Sequence, residues 1–390
     1  MTASGSTTTT QTWSLECSNC RRTQDASGLP GVCPDCGDPW LVRYAGAPGP
    51  AVKARLIDRA WNMWRYREWM PVANDEEPVT LGEGMTPLLR ARSLERALQM
   101  QEIWIKDEGQ NPCGAFKARG LSAAVTRAVH AGATAFVIPT AGNAGVALAA
   151  YASAANVQAR VYAPRTTPAT ILRQIELFGA DLHLLDGHIG DCGKAARVHA
   201  AQTGAIDVST LREPYRIEGK KTMGLELAEQ FGWDLPEVVI YPTGGGTGLI
   251  GMWKVFDELR DAGWITSASP RMYAAQASGC APVVKAFEQG QTATEPWPDP
   301  ETIASGLRVP APLGGKLILR ALRETRGEAV AVTDQDIADT TARVTREEGI
   351  DLCPEGAATV CVLRMLRRRN AVRPEERVVL FNTGAGWLYR

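Results

Sequence analysis

Along most of this chain, apolar runs of strand length take turns with longer segments of helical period, and few folds accept that alternation. EIWIK (102–106), TAFVIPT (134–140), ARVYAP (159–164), ADLHLLD (180–186), EVVIYPT (237–243), RMYAAQ (271–276) and RVVLFNT (377–383) read as strands. AFKARGLSAAVTRAVHAG (115–132), NAGVALAAYASAA (143–155), PATILRQIELFG (168–179), DCGKAARVHAAQTG (191–204), EGKKTMGLELAEQFG (218–232) and GLIGMWKVFDELRDAG (248–263) read as helices. The pattern predicts a doubly wound α/β fold with mostly parallel sheets, whose ligand sites lie in the turns at the carboxyl ends of strands. The Pro-rich passage TATEPWPDPETIASGLRVPAPLGG (292–315) is expected to be a long irregular connection.

The first dozen residues are rich in Ser and Thr and offer nothing to pack, so residues 1–12 are expected to be a disordered tail. Two Cys-x-x-Cys pairs follow, Cys17 with Cys20 and Cys33 with Cys36, on either side of a Gly/Pro-containing loop. Thiolates two residues apart in a turn share one tetrahedral ion, and the second pair closes the site, which predicts a structural zinc ribbon over residues 13–45. A redox dithiol or a nucleic-acid-binding ribbon is disfavoured because Arg21 and Arg22 are the only adjacent basic pair there.

Lys and Arg total 42 against 43 Asp and Glu, a formal charge of -1, so no whole-protein field favours nucleic acid or an anionic membrane. A small molecule is the expected partner. No stretch reaches the roughly 18 apolar residues of a spanning helix, and the N-terminus lacks the pattern of a signal peptide. Cys113, Cys192, Cys280, Cys353 and Cys361 are scattered, as reduced thiols are, so a cytoplasmic location is expected. The tryptophans of WNMWRYREW (61–69) stand at helical spacing and should pack on the core.

Three turns carry chemistry. KDEGQNPCGAFKARG (106–120) puts Lys117 at the start of a helix, where the positive end of the dipole favours a neutral, nucleophilic amine. TAGNAG (140–145) joins a strand to a helix through small residues, with Thr140 and Asn143 adding polar groups. PTGGGTG (242–248) has the composition of a phosphate-cradling loop. A nicotinamide reading fails on spacing, because no acidic residue ends a strand about 20 residues on, and a P-loop lacks its Gly-Lys-Ser/Thr. A cofactor with one phosphate and an aldehyde remains, and pyridoxal 5'-phosphate (PLP) is such a cofactor.

GEGMTPL (82–88), KDEGQNPCGAFKARG, TAGNAG, EPYRIEGKKT (213–222), PTGGGTG, ETIASGLRVP (301–310), CPEGAAT (353–359) and NTGAG (382–386) occur in the order found in the fold-type II PLP enzymes. Within these, the chain resembles the threonine synthases of amino-acid biosynthesis, some of which carry a zinc ribbon ahead of the catalytic region. The resemblance implies a tryptophan synthase β-like fold with two α/β domains: a large PLP-binding domain of residues 46–120 and 228–390, and a small mobile one of residues 121–227. It implies that Lys117 is the Schiff-base lysine with Phe116 beside it, that Asn143 contacts the ring hydroxyl, and that Gly244, Gly245, Gly246, Thr247 and Gly248 hold the cofactor phosphate. Thr383 stands where a neutral hydroxyl faces the pyridine nitrogen.

For a threonine synthase the implied reaction is a lyase conversion of O-phospho-L-homoserine and water to L-threonine and phosphate. Arg216 is the candidate for the substrate phosphate, because a guanidinium grips phosphate in a fork. Thr140 with the turn amides of Gly142 and Ala144 would hold the substrate carboxylate or phosphate, and Glu355 would touch substrate or ring. A homodimer is implied as well. Ala115, Ala118, Ala144 and the Trp387-Leu388 pair depart from the usual threonine synthase pattern. A relative performing β-replacement or β-elimination on O-phosphoserine, serine or threonine, cysteate synthase-like or a deaminase, is the alternative. A non-catalytic zinc-ribbon binding protein is a third reading, opposed by the intact Lys117, Asn143, Gly-rich loop and Thr383.

Overall fold

Strands that are apolar on both faces must be covered on both, and here they lie in parallel sheets wrapped by helices. The computed structural model describes residues 12–390, so the tail expected over residues 1–12 lies, apart from Thr12, outside the described residues. The described chain begins with β1 (Trp13–Cys17), β2 (Thr23–Asp25) and β3 (Trp40–Tyr44), an antiparallel sheet in the order β2-β1-β3. It continues through α1 (Pro50–Ala54), β4 (Leu88–Arg90), α2 (Arg92–Leu98), β5 (Glu102–Asp107), α3 (Lys117–His130), β6 (Ala135–Pro139), α4 (Asn143–Ala154) and β7 (Gln158–Pro164). Next come α5 (Ala169–Leu177), β8 (Asp181–Leu185), α6 (Ile189–Thr203), β9 (Ile206–Asp207), α7 (Tyr215–Gln230), β10 (Val238–Pro242) and α8 (Thr247–Asp261). The last are β11 (Arg271–Ala277), α9 (Pro282–Glu288), α10 (Gly315–Glu324), β12 (Ala329–Val332), α11 (Asp334–Glu348), α12 (Pro354–Arg368) and β13 (Arg377–Asn382).

Two larger sheets result. One has the order β12-β11-β10-β13-β5-β4, parallel except for β4 at its edge, and the other is the parallel set β8-β7-β6-β9. Period-two alternation divides β10: Val239 and Tyr241 join one apolar cluster with Leu249, Met252 and Phe256 of α8, whereas Val238 and Ile240 join another with Val360 and Leu363 of α12. The carboxyl ends of β5, β10 and β13 meet at one rim. The three turns singled out in the sequence open there and at the end of β6.

The helix expected over 218–232 starts earlier, at Tyr215, because the Glu213 carboxylate caps it by accepting from Tyr215 N (2.7 Å) and Arg216 N (3.1 Å). The tryptophan-rich segment is a 3-10 stretch, Met63–Trp69, capped by Asn62. Trp64 and Trp69 are buried as expected, but Trp61 is 65% exposed, with the Arg65 guanidinium 4.8 Å from its ring centre. Among the described residues, no helix is long and apolar enough to cross a membrane.

Candidate active site

Cys113 and Gly114 have φ of 63° and 67°, a left-handed pair that ends the approach from β5 and turns the chain back into an extended bridge between Ala115 and Gly384. Ala385 N donates to Gly114 O (2.8 Å) and Phe116 N to Thr383 O (3.1 Å), so the turn before Lys117 is laced to the segment after β13. Lys117 then opens α3. Burial, with the Arg216 charge adding to it and Glu355 opposing, brings its ammonium down to about 7. The direction is the one expected at the positive end of a helix, but desolvation is the leading cause.

Beneath this turn lies a fully buried ionic cluster. Arg119 donates to Glu108 through Nε (2.6 Å) and to Glu226 through Nη2 (2.8 Å), and Lys106 donates to Glu226 (2.8 Å). The two cations hold the Glu226 carboxyl down at about 2 against the effect of burial. The cluster ties β5, α3 and α7 together, which fixes where α3 begins.

Arg216 is wholly buried on the first turn of α7. Its Nη1 donates to Val208 O (2.7 Å), while Nε and Nη2 are buried without a hydrogen-bond partner among the described residues. Glu213, pushed up to about 7 by burial, is the acid with the largest effect on it, but its carboxylate is engaged with backbone amides. Glu355, in the first turn of α12, accepts from Gly306 N (2.6 Å) through Oε1 and leaves Oε2 buried and without a hydrogen bond among the described residues. The Tyr389 phenol is held well above its ordinary range, first by desolvation and then by the Glu355 charge.

In the Gly-rich loop, a β-carbon on Gly244 would stand 2.3 Å from Gly306 O, and Gly246 has φ of 76°. The loop can therefore close only as glycine, and it feeds straight into α8 at Thr247, whose first amides point out of the helix. Those amides suit a monoanionic or dianionic phosphate. Thr383 is buried, with Cys353 Sγ 4.0 Å from its Oγ1, so the polar surface offered at the end of β13 is neutral. Burial pushes the Cys353 thiol well above its ordinary range and the Cys113 thiol up to about 12, which leaves neither as a ready thiolate.

Asn143 opens α4 and reaches the same rim: a β-carbon on Gly384 would lie 3.4 Å from its Nδ2. Thr140 Oγ1 accepts from Gly142 N (3.1 Å), so that amide is used inside the turn. The amides left for an anion are those of Asn143 and Ala144, at the start of the helix, rather than that of Gly142. Trp387 and Leu388, the departure noted in the sequence, pack over the turn at Gly114. The structure thus gathers Phe116, Lys117, Asn143, the 244–248 loop, Arg216, Glu355 and Thr383 around one rim.

Residues 79–384 match the family model for pyridoxal-phosphate dependent enzymes. The chain belongs to this family. It is 32% identical to the threonine synthase of Methanocaldococcus jannaschii, over 95% of this chain and 91% of that protein. It is 36% identical to the threonine synthase of Mycobacterium leprae, over 76% of this chain and 80% of that one. Maize serine racemase shares the fold, with a TM-score of 0.68 at 23% identity, covering 77% of this chain and 88% of that one. The enzyme is therefore a fold-type II PLP enzyme of the threonine synthase family, and its class of chemistry is that of a carbon-oxygen lyase.

Lys220 and Tyr389 belong to this neighbourhood and were not singled out from sequence. For Lys220 a signal existed, since it lies four residues after Arg216 and so shares its helix face.

Proposed function

We propose that the enzyme converts O-phospho-L-homoserine and water to L-threonine and phosphate, with Lys117 as the catalytic lysine. The observation that carries this reading is Arg216: a fully buried guanidinium beside Lys117 with two nitrogens that no protein group among the described residues satisfies. Such a group is costly unless an anion completes it, and a phosphate takes two parallel hydrogen bonds from it. The two threonine synthases, at 32% and 36% identity, support the same substrate class.

The Gly244, Gly245, Gly246, Thr247 and Gly248 amides would hold the cofactor phosphate, Asn143 the ring hydroxyl, Phe116 one edge of the ring, and Thr383 the pyridine nitrogen. When bound, PLP supplies an electron sink for the bonds at the substrate's α carbon. Lys117, with its ammonium at about 7, takes the proton from the α carbon and later returns one there; the β carbon also gives up a proton, and the γ carbon gains one once phosphate has left it. Arg216 grips the phosphate that leaves from the γ carbon, and water adds at the β carbon. The Asn143 and Ala144 amides with Thr140 orient the carboxylate. Glu355 offers its unbonded Oε2 to the substrate or ring side of the site. Residues 46–120 with 228–390 would form the PLP-binding domain and residues 121–227 a mobile one, in a homodimer.

We also assign a structural zinc to Cys17, Cys20, Cys33 and Cys36. A tetrahedral ion about 2.3 Å from each thiolate separates the sulfurs by about 3.8 Å. Cys17 and Cys36 stand 3.4 Å apart, Cys20 and Cys33 3.6 Å, and the sulfurs all lie within 4.8 Å of one another.

The test is to incubate the purified holoenzyme separately with O-phosphohomoserine and O-phosphoserine, and to measure phosphate, keto acids and new amino acids. Threonine with stoichiometric phosphate from the first is expected. Phosphate from O-phosphoserine alone refutes the reading in favour of a β-replacement or β-elimination enzyme.

A further inference from the structure

The described chain holds four fully or almost fully buried lysines, and three have carboxylate partners. Lys106 pairs with Glu226, while Lys221 and Lys254 pair with Glu218 and Glu258. Lys220 is the exception. It is wholly buried, and among the described residues its one hydrogen bond is from Nζ to Thr247 Oγ1 (2.8 Å), a neutral hydroxyl. Its Nζ and that of Lys117 each stand 4.5 Å from the Phe116 ring centre, and Lys117 and Arg216 add their charges to burial in holding Lys220 well below the ordinary lysine range. A core position without an acidic partner is better filled by methionine or leucine, because a buried ammonium needs an anion or must give up its proton.

The packing around its stem shows that this placement is built in. A β-carbon on Gly219 would stand 2.0 Å from Arg119 O, so α3 and α7 touch backbone to backbone there. A β-carbon on Gly120 would stand 2.8 Å from Lys220 Cε. Glycine at 120 leaves a slot between the helices, and the Lys220 stem runs through it to the first residue of α8. We propose that Lys220 is a phosphate ligand of the cofactor site, supplying with Thr247 a donor that becomes charged when the Gly244–Gly248 loop holds its phosphate, while Arg216 serves the substrate's phosphate. The inference rests on the reading that this loop holds the cofactor phosphate. It divides the basic groups between two anions, through the hydroxyl that Lys220 touches.

The experiment titrates cofactor-free wild type, Lys220→Met and Lys220→Gln with PLP and, separately, with pyridoxal, which lacks the phosphate, following visible absorbance. Wild type should prefer PLP strongly. In both variants PLP affinity should fall roughly ten- to hundredfold, as for loss of one charge-assisted hydrogen bond, with pyridoxal affinity unchanged. Inorganic phosphate should raise the melting temperature of cofactor-free wild type more than that of either variant. Equal weakening of PLP and pyridoxal would make Lys220 a packing residue and overturn the proposal. Unchanged PLP affinity with a raised KM for the phosphorylated substrate would overturn it too, by assigning Lys220 to the substrate. If wild type itself shows no preference for PLP over pyridoxal, the phosphate-loop reading fails; if both variants keep the full preference of wild type, the Lys220 inference fails alone.

Discussion

Replacing Arg216 with Met removes a guanidinium whose surroundings define the size of the effect. One nitrogen, Nη1, serves Val208 O, and Nε and Nη2 have no partner among the described residues. If both free nitrogens bind the leaving phosphate, each contributes about 1.5–3 kcal/mol as a charge-assisted bond, so the loss is about 3–6 kcal/mol. At about 1.4 kcal/mol per decade, kcat/KM for the phosphorylated substrate should fall roughly 10²- to 10⁴-fold. Turnover of an unphosphorylated amino acid, assayed as keto acid release from serine or threonine, should change far less. The fold should tolerate the change, since stranding Val208 O costs about 1–3 kcal/mol while an unpaired buried charge disappears with the side chain. Arg216→Lys keeps the charge without the fork and should recover only part of the rate. A loss under about tenfold in the Met variant, or an equal loss on phosphorylated and unphosphorylated substrates, refutes the reasoning.

Cofactor capture should depend on pH through Lys117: with its ammonium at about 7, the neutral amine grows from a minority below that pH to the dominant form above it. Stopped-flow absorbance on cofactor-free enzyme should show a capture rate that rises through about pH 7 and levels by about 8–9, and a rate still climbing towards pH 10 contradicts this. Glu226→Gln should destabilise the protein by about 3–5 kcal/mol in urea denaturation, because Arg119 and Lys106 lose a shared buried carboxylate. The folded pKa of about 2 lies below the unfolded 4.5, so this stabilisation is complete above pH 4.5 and is lost as pH falls towards 2. The gap between wild type and variant should therefore close over that window. Chelation should release about one zinc per chain and lower the melting temperature, since Tyr44 of the ribbon donates to Glu218 of α7 (2.6 Å); a metal-free preparation with unchanged melting would remove the zinc assignment.

The sequence by itself determined the features written in local patterns. Alternating apolar runs and helical periods gave the α/β class, because each element's burial is encoded in its own residues. Glycine-rich turns after strands marked the rim: the left-handed backbone at Gly246 favours glycine whatever surrounds it, whereas Gly244 is held to glycine by the neighbouring Gly306 O. The four cysteines announced their cluster by spacing alone.

Tertiary structure decided the rest. The strand order that sets β5 beside β13, and so laces the Lys117 turn to Thr383 and Gly384, joins segments far apart in the chain that local pattern does not relate. The Met63–Trp69 segment became a 3-10 stretch with Trp61 outside, because the cap at Asn62 and the neighbours of Trp64 and Trp69 overrode its spacing. Above all, Lys106, Lys220 and Lys221 read alike as lysines, and only folding gave two of them carboxylates and left the third beside Thr247. Charge state inside a protein is set by what desolvates a group and what faces it, and those neighbours come from every part of the chain.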